Sequence, residues 1–397
     1  MKLYQDDYLA CFTGDAQYAD MKQAQAELET ESSWEDGVSG FAVKPLATPM
    51  DAELVFTDPL NTIPKEILLD TADNAGIMLT YQGKEICLRS CALPSLQTTA
   101  GITGPGLGRA EKQDLATGLT AFLASARGSS KVLNRVGKVA AVLSAQYEWM
   151  PISSLLEVCD ELEQQLGIPR FIGGSVSHAL TVAQYEFPDA AQQITADYNN
   201  ILTAYGYPQT KMMMPVVEFR ASDTSGEAAK LLTYLKTGGV MLPIGGFSVV
   251  HIPPKEYHAN GLRLTCMDKF RQEAATVYSK MQYDISDSLP KMLETKISYP
   301  GNCFVGLCKY ANVPQKWGGQ IETEIRSNYP DGSDCCFLDI YEALASVTAL
   351  AIADNYKPYS IRVLELEEGI CKVMKNRGSW TKYDLPGTVA WSAVKAA

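Results

Sequence analysis

The sequence predicts an α+β fold with a mixed, mainly antiparallel sheet, packed helices and a helical C-terminal part. Three observations support this class. Short β-branched and apolar runs broken by Gly, Pro or Asn extend to about residue 250, as expected for strands and turns. Apolar residues at three- and four-residue spacing dominate the later part of the chain, as expected for amphipathic helices. Strands that precede a run of helices are typical of α+β proteins.

The individual elements follow from the same patterns. Strands are predicted at 52–56, 77–81, 85–89, 131–135, 138–143, 171–172, 179–187, 211–220, 229–234 and 240–250. Val136 and Gly137 separate two of these strands and predict a tight hairpin turn. Helices are predicted at 110–125, 150–166, 190–204, 264–289, 337–355 and 360–375, the fourth of them ending near Pro290. Residues 302–334 are predicted as a polar, aromatic stretch without a helix.

Composition and charge limit the function. The chain of 397 residues has 34 Lys and Arg against 46 Asp and Glu, a net charge of −12, and 46% hydrophobic residues. These values exclude a wholly disordered chain and a protein that coats nucleic acid with its entire surface. Nine of the acids fall within the first 36 residues, against two lysines. We therefore predict an acidic N-terminal arm over residues 1–49 with a short helix at 18–31, an α+β core over 50–300 and a helical region over 301–397.

The chain begins without the basic and apolar segments of a secretory signal, because two aspartates follow directly after residues 1–5. Its apolar runs are shorter than the ~18 residues that a membrane-spanning helix requires. Ten scattered cysteines are too few for a disulfide scaffold, which favours reduced thiols. We expect a cytoplasmic protein without a membrane partner.

Motifs that support chemistry in other proteins have the wrong spacing here. The glycine-rich loop at 101–108 enters a predicted helix, but it has neither G-x-G-x-x-G nor the Lys-Ser/Thr of a Walker loop, so a flexible connection is favoured over phosphate binding. Four cysteines between 303 and 336 lack C-x-x-C spacing, which favours buried thiols over zinc ligands. His178 and His251 lie in strand-like segments, and no G-x-S-x-G motif accompanies them. No catalytic residue, metal ligand or cofactor is predicted.

The clearest charge feature is the hairpin region at 127–138, which has four basic residues and no acid. Lys131 and Arg135 are separated by an even number of residues, so both should lie on one face of the hairpin. Two strands that present basic residues can follow a phosphate backbone, and aromatic residues just beyond them can stack on bases. The predicted nucleic-acid-binding residues are Lys131, Arg135, Lys138, Tyr147, Trp149, Arg220, Arg263, Lys269 and Arg271. The alternative interpretation is a solvated hairpin without a ligand.

A family resemblance emerges from residue 131 onwards. Residues 132–144 give a strand-turn-strand pattern, Ser144 and Tyr147 form an S-x-x-Y spacing, and a helix and a glycine-containing hairpin follow at 153–187. Residues 215–226 then end in a Ser/Asp/Gly turn. Over about residues 131–361 this order resembles the DUF932 family of phage- and plasmid-like proteins, although the V-x-C-x-N motif of that family is missing. The resemblance implies an origin in a mobile genetic element, a bacterial host cell and no established activity.

These features together predict a non-enzymatic protein of mobile-element DNA metabolism that binds or anneals single-stranded DNA. The alternative is a structural or assembly protein of the virion type that acts through homo-oligomeric contacts. The acidic arm and the aromatic residues of 302–329 suggest this second function. We expect a homo-oligomer in either case.

Overall fold

The computed structural model describes residues 9–46, 74–102, 107, 110–224, 226–258, 260–354, 356, 358–387, 389 and 391. The predicted strand at 52–56 and most of the glycine-rich loop at 101–108 lie outside the described residues. The strands are β1 (Leu9–Thr13), β2 (Ser32–Val38), β3 (Ala42–Pro45), β4 (Ile77–Tyr81), β5 (Lys84–Cys87), β6 (Ser130–Arg135), β7 (Lys138–Ser144), β8 (Arg170–Ser177), β9 (Thr181–Glu186), β10 (Met214–Ala221), β11 (Ala229–Thr237), β12 (Val240–Val249), β13 (Lys296–Ile297) and β14 (Cys335–Cys336).

Helices cover both the N-terminal and the C-terminal parts. They are α1 (Tyr18–Thr30), α2 (Leu93–Thr99), α3 (Lys112–Leu123), α4 (Ile152–Asp160), α5 (Glu163–Leu166), α6 (Pro188–Ala204), α7 (Cys266–Ala274), α8 (Val277–Glu294), α9 (Pro300–Tyr310), α10 (Gln315–Asn328), α11 (Phe337–Ala345), α12 (Val347–Ala353) and α13 (Ile361–Lys375). Among the residues that the structure describes, no helix is long and apolar enough to cross a membrane.

The largest sheet has six strands in the order β1-β8-β9-β10-β11-β12, and every neighbouring pair is antiparallel. Two three-stranded sheets, β2-β6-β7 and β3-β4-β5, are antiparallel as well. They meet where the Arg89 N–H donates to the Val139 carbonyl at 2.9 Å. The predicted α+β class with a mainly antiparallel sheet is confirmed.

One face of the main sheet carries the larger hydrophobic core. Side chains alternate along its strands, so Phe171, Tyr185 and Phe219 point into this core together. Helices α4, α6, α7 and α8 pack over them, and the same cluster continues into α9–α13 as far as Tyr383. The core therefore runs across residue 300, where a boundary between two regions is predicted. Each large apolar side chain buried here stabilises the fold by about 1.5–3 kcal/mol.

A second core lies in the N-terminal part. Leu96 of α2 and Leu119 of α3 pack on Ile77, Leu79 and the apolar face of the β6–β7 hairpin. This gives the two small sheets a lobe of their own, distinct from the core of the main sheet. The hairpin turn is formed as predicted, with Val136 at φ 49° and Gly137 at φ 73°.

The described part of the acidic segment is integrated into the fold. Strand β1 pairs with β8 at the edge of the main sheet, and α1 follows with Met21 fully buried against the core. Gln25 is buried too, and it accepts a hydrogen bond from the Thr181 hydroxyl at 2.6 Å. Residues 9–46 therefore do not extend away from the body as an arm. The helix predicted at 18–31 is confirmed.

Two predictions about helices are wrong. Residues 302–334 are not an irregular stretch, because they contribute to α9 and α10, and Trp317, Ile321 and Ile325 occur at helical spacing on the buried side of α10. The long helix predicted at 264–289 is two helices, α7 and α8, with a break at residues 275–276. Pro290 lies inside α8 and does not end it.

Candidate functional site

The predicted basic hairpin docks against the main sheet with its charges turned inward. Arg135 is 1% exposed and donates from Nη2 to Asp223 at 2.5 Å, from Nη1 to the His178 carbonyl at 2.6 Å and from Nε to the Ser32 hydroxyl at 2.9 Å. Lys138, which pairs with Arg135 across the hairpin, is only 8% exposed. Neither side chain is available to a phosphate backbone, because the hairpin face that carries them is covered by the loop after β10.

Lys131 and Arg220 have different surroundings. Lys131 is half-buried on β6, the central strand of its sheet; its side chain is 27% exposed and lies 3.4 Å from the Asp36 carboxylate. Arg220 is 1% exposed, because α13 covers this face of the main sheet, and it contacts Glu218 and Glu367 at 2.5 Å each. The expectation that Arg220 lies exposed at a strand end does not fit this burial.

Four aromatic rings lead from the interior to the surface; three of them are stacked, and the outermost, Trp149, is tilted by 45° from Trp34. His251 and Tyr147 are stacked with centroids 4.8 Å apart and an interplanar angle of 9°. Tyr147 stacks in turn on Trp34 at 5.3 Å, and Trp34 lies 6.3 Å from Trp149. His251 and Tyr147 are buried, whereas Trp149 is 40% exposed. Tyr147 is thus a support for the outer rings and does not itself face solvent.

The buried end of the stack is polar. The His251 Nδ1 lies 3.2 Å from the Glu148 carbonyl, which can only accept, so Nδ1 donates and Nε2 keeps its lone pair. Burial lowers the pKa of His251, and burial followed by the nearby Asp223 carboxylate raises the pKa of Tyr147. Three buried atoms here, Tyr147 Oη, Asp223 Oδ1 and His251 Nε2, have no hydrogen-bond partner among the described residues. These atoms leave hydrogen-bonding capacity unused at the buried end of the stack, beside the Arg135–Asp223 ion pair.

The exposed end of the stack borders the segment between β12 and α7. The Glu148 N–H donates to the His251 carbonyl at 2.8 Å, and the Glu148 carboxylate accepts from the Cys266 N–H at 3.0 Å. These two bonds hold both ends of the segment beside Trp149. Several large apolar side chains of the segment are exposed, and we define the Trp149 surface as Trp149, Ile252, Tyr257, Leu262 and Arg263.

The remaining predicted basic residues lie on this segment or on the helix that follows it. Arg263 is exposed and its guanidinium contacts the Pro253 and Pro254 carbonyls at 3.4 Å, without an acid among the described residues. Lys269 is paired with Glu256 at 3.0 Å and with Glu273 at 3.5 Å, which lowers its value as a phosphate contact. Arg271 is exposed on α7.

The cysteines and acids do not form a metal site within the described residues, where no group of three or more His, Cys, Asp or Glu side chains has suitable geometry. Cys303, Cys308, Cys335 and Cys336 are all fully buried. Burial raises the pKa of each of these thiols, which keeps them protonated and unreactive.

Comparison of the chain with protein-family models, with curated proteins and with solved structures gives no significant match. The resemblance to the DUF932 family therefore stays a prediction.

Three contributors to these sites have little or no signal in the sequence. Trp34 lies in the acidic segment, far in sequence from Tyr147, and no local pattern connects the two. Glu218 was not predicted as a contributor, and Glu367, whose acid-rich neighbourhood with Glu365 and Glu368 predicts a solvated side chain, is buried. For Glu218 a signal exists, since an acid and Arg220 alternate within the apolar run of β10, which indicates paired charges on one covered face.

Proposed function

We propose that this protein binds single-stranded nucleic acid, single-stranded DNA in the first instance, at the Trp149 surface. The observation that carries the proposal is the exposed indole of Trp149 beside the stacked rings of Trp34 and Tyr147, together with the exposed guanidinium of Arg263 on the segment whose two ends are hydrogen-bonded to Glu148. Base stacking on aromatic side chains combined with a few basic groups along the backbone is the general mode of single-strand binding.

The ring stack supports binding because it fixes the indole before a base arrives. Trp149 contacts Trp34 at a tilt of 45°, Trp34 is stacked on Tyr147, and Tyr147 is buried against His251. A side chain that is already ordered loses less conformational entropy when a ligand stacks on it. Only an unpaired base can expose its face to the indole, so the geometry favours a single strand over a duplex.

The charge around the indole suits a limited contact. Arg263 and Arg271 are exposed without an ion pair among the described residues, and Lys131 is partly exposed beside Asp36 at 3.4 Å. Three cations can neutralise the phosphates of only a short stretch of a bound nucleic-acid strand. A net charge of −12 on the whole chain disfavours a longer track over the rest of the surface.

The test is fluorescence anisotropy with a labelled oligonucleotide of about 15 nucleotides at about 50 mM salt. We expect Trp149→Ala to weaken binding by about 1–3 kcal/mol, because one stacking platform is removed, and Trp149→Phe to retain most of it. The matched control is Tyr283→Ala, which removes a 65% exposed aromatic side chain on α8 outside the Trp149 surface. Absence of binding by the wild-type chain at micromolar concentration, or an equal loss in both alanine variants, would contradict the proposal.

A second candidate function is assembly through contacts between copies of this chain. The apolar members of the same surface favour it, since Ile252, Tyr257 and Leu262 are each more than half exposed. Light scattering should then show a dimer or larger species that Tyr257→Ala and Leu262→Ala together dissociate. A monomer at high protein concentration counts against this candidate.

A further inference from the structure

A cavity of about 260 Å³ lies over the polar face of the main sheet, opposite the larger core. Its floor includes Gln184 of β9 and Met241 of β12, and its walls include Thr348 and Ile352 of α12, Pro358, and Glu367 of α13. This volume is slightly below the range of about 300–1,000 Å³ found for drug-sized ligands, so the cavity suits a molecule of few heavy atoms.

Glu367 is the ionisable residue of this lining. Its hydrogen-bonded cation, Arg220, also contacts a second acid, Glu218. The Arg220 Nη2 contacts Glu367 Oε2 at 2.5 Å, but the same guanidinium contacts Glu218 Oε1 at 2.5 Å. Glu218 also accepts from Tyr234 at 3.1 Å and from the Gln184 amide. Two buried carboxyl groups thus share one guanidinium, so when both are ionised one negative charge has no partner cation among these groups.

Two other polar side chains of the lining offer acceptors. Gln184 uses an amide N–H on Glu218, which leaves its carbonyl oxygen to accept. The Thr348 hydroxyl donates to the Ala345 carbonyl at 3.0 Å, which leaves its lone pairs to accept as well. An ammonium group has three N–H donors and no acceptor, and it carries the charge that the two carboxylates lack.

We propose that this cavity binds a small aliphatic primary amine in its ammonium form, with the charge held by Glu367 and the alkyl chain against Met241, Ile352 and Pro358. Gln184 and Thr348 accept the remaining N–H donors. The site does not depend on the nucleic-acid surface, because Trp149 and Arg263 take no part in it.

The pH dependence of binding distinguishes this proposal from nonspecific binding. Several titratable groups lie around Glu367: Glu218 and Arg220 on β10, Tyr234 on β11, Tyr359 before α13, and Glu368 and Cys371 on α13; the described residues of α12 itself include none. Burial, followed by the charge of Glu218, raises the pKa of Glu367 well above its ordinary value. An ammonium ion that enters therefore competes with a proton for the Glu367 carboxylate, and its affinity should rise with pH.

Isothermal titration calorimetry at several pH values tests the site with n-butylamine, butan-1-ol and butyrate as probes. We expect saturable binding of n-butylamine with one site, an affinity for it that rises with pH, and no saturation with the alcohol or the carboxylate. Butan-1-ol that binds as tightly as n-butylamine, or an n-butylamine affinity that falls as pH rises, would overturn the proposal.

Two variants localise the binding. Glu367→Gln should weaken n-butylamine at least about tenfold, because a charge-assisted hydrogen bond is removed. The matched control is Glu368→Gln, which changes the neighbouring acid outside the cavity lining and should leave the affinity unchanged. A similar loss in both variants, or in neither, contradicts the assignment. The comparison of the three probes on the wild-type chain remains decisive even where a variant fails to fold.

Discussion

The guanidinium of Arg220 lies between two carboxylates, that of Glu218 on its own strand and that of Glu367 on α13. All three side chains are buried, so the pairing has to offset the loss of their hydration. A further bond from Nη1 to the Leu364 carbonyl at 3.2 Å joins the same guanidinium to the backbone of α13. Arg220 therefore holds the helix on the polar face of the sheet.

Removing this guanidinium should lower the free energy of unfolding by more than the hydrogen bonds of one side chain contribute. Arg220→Ala leaves two buried carboxylates without their cation, and we expect the free energy of unfolding to fall by about 3–5 kcal/mol. Urea denaturation followed by circular dichroism measures the change. Arg362→Ala serves as the control, since the exposed Arg362–Glu365 pair at 3.1 Å should contribute only about 0–1 kcal/mol. A loss below about 1 kcal/mol for Arg220→Ala would contradict this account of the triad.

The raised pKa of Glu367 predicts how stability depends on pH. In the folded chain Glu367 holds its proton at pH values where the unfolded chain has released it. Its contribution is therefore fully present below the unfolded pKa of about 4.3 and is lost as pH rises towards the folded pKa. Glu367→Gln cannot ionise, so its free energy of unfolding relative to wild type should increase with pH, by at most about 1.4 kcal/mol per unit. Urea titrations between about pH 5 and 8 measure this difference, and a constant difference contradicts the prediction.

The sequence identified which residues are basic but not which of them reach solvent. Trp149 and Arg263 are exposed as predicted, whereas Arg135, Lys138 and Arg220 are buried. The even spacing of Lys131 and Arg135 predicts that both lie on one face of the hairpin. It does not show whether that face is covered by other parts of the chain. The acids that bury these arginines are distant in sequence, since Asp223 is 88 residues from Arg135 and Glu367 is 147 residues from Arg220. Such pairings are set by tertiary packing.

At the level of elements, local sequence patterns predict most of the strands. They fail where tertiary packing sets the break or the burial of a helix. The strands of the main sheet follow from apolar runs between turn residues, and α6 and α13 follow from helical spacing. The break between α7 and α8 was missed because the apolar spacing continues across it. Helix α9 was not predicted because nine of its eleven residues are buried. Without a polar face, the sequence shows no helical repeat of apolar and polar residues.

The β6–β7 turn offers a prediction about a single element. Val136 has φ 49°, a left-handed conformation that is costly for a β-branched residue, and it precedes Gly137 at φ 73°. Asn-Gly is the preferred pair for a turn with two positive φ angles, so Val136→Asn should stabilise the chain by about 1 kcal/mol. Gly137→Ala should destabilise it by about 1 kcal/mol or more. Thermal denaturation gives both shifts, and a lower midpoint for Val136→Asn would contradict the expectation.

At the scale of the whole molecule, the two lobes meet where the ring stack lies. Trp34 belongs to β2 in the N-terminal lobe, and His251 follows β12 of the main sheet. Tyr147 stacks on both rings. Arg135 and Asp223 form a buried ion pair across the same boundary between the lobes. A ligand on Trp149 is therefore supported by side chains from both lobes. The orientation of the indole depends on the contact between the lobes.

The salt dependence of binding tests whether the Trp149 surface is as limited as its charges suggest. If Lys131, Arg263 and Arg271 each neutralise one phosphate, the logarithm of the binding constant should fall against the logarithm of salt concentration with a slope of about −2. Arg263→Ala should reduce the steepness by about 0.7, because one fewer counterion is released. Lys296→Ala, which removes an exposed lysine paired with Asp334 at 2.6 Å, should leave the slope unchanged. Anisotropy titrations between about 50 and 200 mM salt give the slopes. A slope near zero would indicate binding by stacking alone, and one steeper than about −4 would require a basic track that these three residues cannot supply.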